Sequence, residues 1–250
     1  MTQEYSYGEV AKRDSLLSGW FIEQANELFK GFPITADDVV LDVGCGEGEI
    51  ASFCAARGAA IIVTDSDPEK ISIAKNRLAG TAARSVEALV SDSCPLPIAG
   101  NVASVVISTE VLEHVDDPSA FLAELARVGR PGARYLLAVP DPVAETLQKS
   151  VAPQLYFEKP NHVRIVGREE FAGMVRAAGL VVERRASYGF FSSLWWLMLW
   201  LSADTAAREN VQAHWSQTWN ALLDTPNGML LKNALDNFMP KSQLIIARKP

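Results

Sequence analysis

The chain has 250 residues, a formal net charge of −7 and three cysteines. The acidic balance argues against a protein that binds nucleic acid through a broad basic surface. Three cysteines without a C-x-x-C pair exclude a disulfide framework and the common zinc motifs, and they favour a reducing, cytoplasmic setting. The longest apolar stretch, Leu194–Leu201, covers only fourteen residues even when it is extended back to Tyr188. A membrane-spanning helix needs roughly twenty, although peripheral membrane contact stays open.

Strand-like and helix-like patterns alternate from residue 38 to residue 188. The N-terminal part, residues 1–37, is expected to contain a helix over 15–30. The predicted strands are 38–43, 59–64, 85–90, 102–108, 135–139, 180–185 and 243–248. The predicted helices are 50–57, 68–79, 118–128, 169–178 and 205–223. This alternation predicts an α/β fold, in which helices cover both faces of a mostly parallel sheet.

A helical insertion is predicted over residues 189–240, between the last two strands. It holds five of the six tryptophans: Trp195, Trp196, Trp200, Trp215 and Trp219. Large aromatic side chains suit a lid over a substrate, a dimer interface, a lipid surface or simply a helix packed at the sheet edge. We expect one domain over 1–250, with a core at 38–188 and the last strand within 241–250.

A glycine-rich loop follows the first predicted strand and opens a helix. It has the pattern G-x-G-x-G over residues 44–48, with Asp42 upstream. Glycines allow a sharp turn and let a ligand approach the backbone amides. Asp65 ends the next strand, where an acidic side chain can accept hydrogen bonds from both hydroxyls of a ribose.

The loop differs from a dinucleotide site. The third glycine of G-x-G-x-x-G would fall at residue 49, which is Glu49. Glu47 and Glu49 would also place negative charge beside a pyrophosphate, which helix N-termini otherwise favour. The pattern therefore predicts a phosphate-free cofactor, and a cationic one tolerates these carboxylates.

Four ordered motifs carry a resemblance to a known family. They are LDVGCGEG at 41–48, Asp65, SDSCPLP at 91–97 and VVISTEVLEHVDDP at 105–118. Together they resemble the class I S-adenosylmethionine-dependent methyltransferases of the methyltransferase domain 11 type. The resemblance is strong over 38–140 and weaker through PNHVRIVGREEF at 160–171. It implies a Rossmann-like seven-strand sheet, S-adenosyl-L-methionine as the cofactor, and methyl transfer.

The resemblance also implies roles for individual residues. Asp42 would order the loop, while Gly44, Cys45 and Gly46 would line the methionine and ribose end of the cofactor. Asp65 would hold the ribose, with Ser66 beside the adenine. Asp92 would accept from the adenine amino group next to Ser93, and Ser108, Thr109 and Glu110 would flank the methyl group.

Histidine is the usual base near neutral pH, and the chain has three: His114, His162 and His214. His162 and His114 are the candidates for a catalytic role, while His214 is expected to have none. If the segment 110–114 is helical, Glu110, Glu113 and His114 share one face and could hold a divalent ion. A similar string binds metal in ubiquinone-pathway O-methyltransferases and in small-RNA 2′-O-methyltransferases. In the other interpretation, this string is a helix sequence that is common in the family and binds no metal. We predict that the protein binds no metal here.

The segments outside the common sheet are expected to select the acceptor. Tyr5, Tyr7 and the tryptophans would close over it. Lys159, Arg164 and Arg168 make one stretch locally basic, which fits either an anionic substrate group or a solvated surface.

The sequence therefore predicts methyl transfer to a small-molecule or glycan- or lipid-linked acceptor, and it favours oxygen as the methylated atom. A metal-dependent O-methyltransferase acting on a catechol-like acceptor and a non-catalytic cofactor-binding scaffold are the alternatives. RNA methylation is disfavoured, and a homodimer through the insertion stays open.

Overall fold

The computed structural model describes residues 6–201 and 203–250. Its helices are α1 (Tyr7–Leu17), α2 (Glu49–Ala55), α3 (Pro68–Leu78), α4 (Pro118–Val128), α5 (Pro142–Val151), α6 (Arg168–Ala177), α7 (Phe190–Leu197), α8 (Thr205–Leu223) and α9 (Gly228–Phe238). Its strands are β1 (Trp20–Ile22), β2 (Glu27–Phe29), β3 (Phe32–Pro33), β4 (Val39–Val43), β5 (Ala60–Asp65), β6 (Ser85–Val90), β7 (Ala103–Thr109), β8 (Gly129–Pro140), β9 (Val181–Tyr188) and β10 (Ser242–Arg248).

The main sheet has seven strands in the order β6-β5-β4-β7-β8-β10-β9. The five strands from β6 to β8 pair in parallel. The central strand β4 is buried on both faces, as its apolar run VVLDV requires. The predicted α/β class and the seven-strand, mostly parallel sheet are therefore confirmed.

The chain divides into two compact units. The sheet unit comprises Trp20–Val139, Arg168–Ala186 and Leu244–Pro250. The helical unit comprises the N-terminal segment up to Gly19 together with Pro140–Gly167 and Ser187–Gln243. The single-domain description stays a prediction.

Local signals fix the helices of the sheet unit. Asp67 and Asp117 each accept backbone N–H groups at a helix start, and each is followed by proline at the first helical position. Such a pair satisfies otherwise orphaned donors and presets the backbone angle. The predicted helices over 68–79 and 118–128 are confirmed to within one residue.

The predicted helix over residues 15–30 is wrong. In the structure α1 ends at Leu17, and β1, β2 and β3 form a small antiparallel sheet. Gly19, Asn26 and Gly31 adopt positive φ angles, which a helix does not accommodate. The aromatic and β-branched run at 20–22 also favours a strand.

The strand predicted at 135–139 begins earlier. β8 starts at Gly129 and includes the predicted turn over 130–132. Its register against β7 shifts between the pairs Ala103–Gly129 and Val105–Arg134, so extra residues bulge from the strand. A bulge lets the sheet accommodate proline and glycine without ending the strand.

The core of the helical unit is aromatic. Phe191 and Trp219 are fully buried, and Trp215 stacks on Phe191 with ring centroids 6.0 Å apart. Trp195, Trp196 and Trp200 are half-buried. The rings of Tyr7 and Trp195 pack with centroids 4.0 Å apart, while Tyr5 lies outside the described residues.

Among the helices described, none is long and apolar enough to cross a bilayer.

Candidate functional site

The glycine-rich loop lies at the carboxyl end of β4 and is tied to β5. The amides of Gly44 and Cys45 both donate to the carbonyl of Thr64, at 2.8 and 3.0 Å. The amide of Gly46 donates to the Asp65 carboxylate at 2.9 Å. The loop and the acid predicted to hold the ribose therefore form one hydrogen-bonded structure.

Two glycines of this loop are needed for different reasons. Gly44 has φ +72°, and a Cβ there would lie 2.2 Å from Cγ2 of Val111, so the residue allows close packing. Gly46 has φ +52°, and a Cβ there would meet no atom within 4 Å. Gly46 therefore borders open space at the end of the strand, where α/β sheets bind ligands.

We expect the substitution Gly46→Ala to weaken binding of S-adenosylhomocysteine about tenfold or more, because its methyl group would occupy this space. The positive φ costs on the order of 1 kcal/mol in folding free energy. Gly80→Ala is the matched control, since Gly80 also has positive φ and open space around its Cβ position. Calorimetry should show a loss for residue 46 only, and equal affinities in the two variants would contradict the placement of a ligand here.

Two carboxylates, those of Asp42 and Asp65, lie beside the glycine loop. Asp42 is buried, and desolvation, together with the charge of Asp65, raises its pKa to about 7. Its Oδ2 atom has no hydrogen-bond partner among the described residues. No described lysine or arginine pairs with either carboxylate. A cofactor with a positive end fits this arrangement, because a cation would stabilise both carboxylates.

Cys45 does not have the environment of a reactive thiol. Burial and the negative charges of Asp42 and Asp65 raise the pKa of Cys45 to about 12. The thiol is therefore protonated at neutral pH, which removes its nucleophilic form. Cys45 serves the loop through its backbone amide.

The predicted adenine contacts follow β5 and β6. Ser66 is exposed directly after Asp65, and Asp92 accepts from the amide of Cys94 at 3.2 Å. Ser93 is buried with φ +69°, and its amide donates to the Ser91 hydroxyl at 3.0 Å. These residues belong to the carboxyl-end loops of neighbouring parallel strands, and their cofactor contacts stay predictions.

The predicted neighbours of the methyl group lie at the end of β7. Ser108 is buried and Thr109 closes the strand. Glu110 has φ +57°, and its amide donates to the carbonyl of Ala138 at 2.9 Å. The left-handed backbone of Glu110 turns the chain away from β7. Such a conformation is strained for a residue other than glycine.

The expected helical face over residues 110–114 is wrong. The segment is a turn, in which the amide of His114 donates to the carbonyl of Val111 at 2.9 Å. Helical geometry cannot begin at Glu110, because its backbone is left-handed. Glu113 is buried, and its Oε1 lies 3.7 Å from Nε2 of His114. The geometric premise for the set Glu110, Glu113 and His114 as metal ligands is therefore lost.

His162 belongs to the helical unit and is held by a buried acid. Its Nδ1 lies 2.8 Å from Oε2 of Glu145 on α5, and both side chains are largely buried. The Tyr156 ring packs beside it with centroids 5.0 Å apart. His214, in contrast, is exposed on α8 and bonds to the carbonyl of Asn210 in its own helix.

Glu145 is the residue that the sequence analysis missed. Its only local signal is a position on the same helical face as Gln148, three residues later. A carboxylate on a short helix between a strand and a loop is commonly solvated, so the pattern alone could not show that it is buried. Only the folded arrangement of α5 and the loop at 158–164 brings it to His162.

Comparisons with known proteins agree with this geometry. Residues 41–137 match the family model of a methyltransferase domain. A ubiquinone biosynthesis O-methyltransferase from Sinorhizobium medicae is 30% identical over 166 residues, which cover 62% of this chain and 64% of that protein. One from Rhizobium etli is 28% identical over 186 residues, covering 70% and 74%. The chain thus spans slightly less than two thirds of the first relative's length.

Solved structures share the fold at low sequence identity. A methyltransferase described as putative from Bacillus halodurans has a TM-score of 0.59 and 18% identity, covering 97% of this chain and 99% of that one. A geranyl diphosphate C-methyltransferase from Streptomyces coelicolor has a TM-score of 0.61 and 16% identity, covering 98% and 82%. Residues 41–137 thus carry a methyltransferase domain, on a fold that solved methyltransferases share.

Proposed function

We propose that the protein transfers a methyl group from S-adenosylmethionine to a hydroxyl oxygen of a small-molecule acceptor. The observation that carries the proposal is the loop at the end of β4. There the Gly46 amide donates to Asp65, open space adjoins Gly46, and Asp42 and Asp65 have no cationic partner among the described residues. A phosphate-free nucleoside with a positively charged end fits this loop better than a dinucleotide does.

The choice of oxygen is supported by the relatives and by His162. The curated relatives from Sinorhizobium and Rhizobium are named O-methyltransferases. A hydroxyl, unlike an amine, needs to lose a proton as it becomes methylated, and a histidine is suited to accept it near neutral pH. His162 has its imidazole fixed by Glu145 and packed against Tyr156.

The bound cofactor supplies a methyl carbon activated by its positive sulfur, so that the C–S bond breaks as the new O–C bond forms and the electron pair stays on sulfur. The residues of this chain supply position and a proton acceptor. Asp65 and the glycine loop would hold the nucleoside in one orientation. In the proposal, Nε2 of His162 takes the hydroxyl proton.

The proposal is tested by turnover with defined acceptors. The protein is incubated with S-adenosylmethionine and either catechol, 3,4-dihydroxybenzoate or an aliphatic alcohol, with and without EDTA. Mass spectrometry locates the added methyl group. An O-methylated product supports the proposal, and activity that EDTA abolishes and magnesium restores would replace it with the metal-dependent alternative. Cofactor binding without turnover, or methylation only at nitrogen or carbon, would overturn it.

We expect His162→Asn to lower kcat about 10²-fold on any acceptor that the wild type methylates. Asparagine can still offer an N–H to Glu145, but it has no basic nitrogen. The affinity for S-adenosylhomocysteine should change by less than twofold.

His214→Asn is the matched control, because His214 is exposed and bonded within its own helix. Its kcat should equal that of the wild type. Full activity in His162→Asn would exclude this histidine as the base.

A further inference from the structure

Helix α5 buries polar side chains beside Ala144 and exposes three apolar ones. The buried polar residues are Asp141 at its N-cap, Glu145 and Gln148. The exposed apolar residues are Val143, Leu147 and Val151. Surface helices normally show the opposite pattern, because burial of apolar side chains stabilises the fold. The inward polar face of α5 therefore calls for an explanation other than packing.

Glu145 has a specific partner on this face. Its Oε2 lies 2.8 Å from Nδ1 of His162, with side-chain exposures of 3% and 13%. A buried carboxylate is costly unless it accepts hydrogen bonds, so an ionised Glu145 places a proton on Nδ1. The amide of His162 also donates to the carbonyl of Tyr156 at 3.2 Å, which fixes the backbone beside the ring.

This contact determines the protonation pattern of the imidazole. A neutral imidazole carries one proton, and an acceptor at Nδ1 holds it there, which makes Nε2 the basic nitrogen. Without Glu145, neither the ring orientation nor the tautomer would be set by this contact.

We propose that Glu145 is a positioning residue for methyl transfer, which holds His162 in the tautomer with its proton on Nδ1 and thereby presents Nε2 to the acceptor hydroxyl. The inference rests on the proposed function, since it assumes that His162 receives that proton. During transfer, the hydroxyl O–H bond breaks, its proton passes to Nε2, and Glu145 remains a carboxylate.

The first test reads the tautomer and needs no acceptor. In ¹⁵N-labelled protein, the ring nitrogens of His162 are assigned by comparison with His162→Asn. We expect the chemical shift of a protonated nitrogen at Nδ1 in the wild type at a pH where the ring is neutral. A proton on Nε2 would overturn the proposal, whether or not the protein methylates hydroxyls.

The second test measures turnover. We expect Glu145→Met to lower kcat 10- to 100-fold with little change in KM for S-adenosylmethionine, and to abolish the Nδ1 tautomer preference. Glu145→Asp keeps the charge and should recover part of the lost kcat. Wild-type kcat in a folded Glu145→Met variant would overturn the proposal.

Glu158→Gln is the control, because Glu158 is exposed in the helical unit and bonds to Gln154. It should leave both kcat and the spectrum of His162 unchanged. The two tests separate the failures. An Nδ1 tautomer in a protein that methylates no hydroxyl would reject the proposed function, whereas hydroxyl methylation with an Nε2 tautomer would reject the role of Glu145.

Discussion

Replacing Asp65 with alanine is expected to weaken binding of S-adenosylhomocysteine by roughly 30- to 700-fold, which corresponds to about 2–4 kcal/mol. Two effects contribute. The ribose would lose a charged acceptor of two hydrogen bonds. The loop would also lose one of its ties to β5, because the Asp65 carboxylate accepts from the amide of Gly46 at 2.9 Å. The same carboxylate accepts from the amide of Asp67 at 3.0 Å.

Calorimetry of the wild type and variant gives the affinities directly. Asp67→Asn is the matched control, since Asp67 lies two residues away, is exposed, and caps α3 through an oxygen that asparagine retains. Its affinity should stay within twofold of the wild type. An Asp65→Ala variant that binds as tightly as the wild type would remove Asp65 from the cofactor site.

Replacing Lys232 with methionine is expected to lower the free energy of unfolding by about 3–5 kcal/mol. Lys232 lies on α9 in the helical unit and is fully buried. Its ammonium contacts Asp236 at 2.5 Å, Asp14 at 3.3 Å and the Ser18 hydroxyl at 2.7 Å. Methionine matches its length but leaves two buried carboxylates without their cation.

The same network connects four helices through the two carboxylates. Asp14 of α1 accepts from Nε1 of Trp219 in α8 at 2.8 Å. Asp236 of α9 accepts from the amide of Phe190 in α7 at 2.8 Å. Burial raises the pKa of Asp14, although Lys232 opposes this effect. Loss of the lysine therefore removes an interaction that lowers the pKa of Asp14.

Urea denaturation near pH 7 measures the change. Lys75→Met is the control, because Lys75 is exposed on α3 and a surface substitution usually shifts stability by less than about 0.5 kcal/mol. Adding Asp14→Asn and Asp236→Asn to Lys232→Met should recover part of the loss, since the unpaired charges are then gone. A loss below 1 kcal/mol in Lys232→Met would show that the network contributes little.

The sequence analysis predicted the features that depend on residues close together in the chain. Helical patterns located α3 and α4 to within one residue, and short apolar runs alternating with helices located the parallel strands. The glycine loop and Asp65 could be paired because consecutive parallel strands end at one edge of a sheet. Their hydrogen bond through Gly46 agrees with that reasoning.

The sequence analysis did not predict features that depend on tertiary contacts. Lys232 has the same helical neighbours as many solvated lysines, and its burial depends on Asp14, more than two hundred residues away, as well as on Asp236. Glu145 contacts His162 only because a later loop returns to its helix. The turn at 110–114 depends on the left-handed backbone of Glu110, which no rule for glutamate would predict.

The division of the chain between the two units has a consequence for biosynthesis. The helical unit needs residues up to Gln243, and the sheet unit needs Leu244–Pro250, which include most of the strand between β8 and β9. Neither unit can therefore complete its native contacts before these C-terminal segments have been synthesised. Strands β8 and β9 stay without their shared neighbour until β10 has been synthesised, so their unpaired edges should make aggregation a risk late in translation.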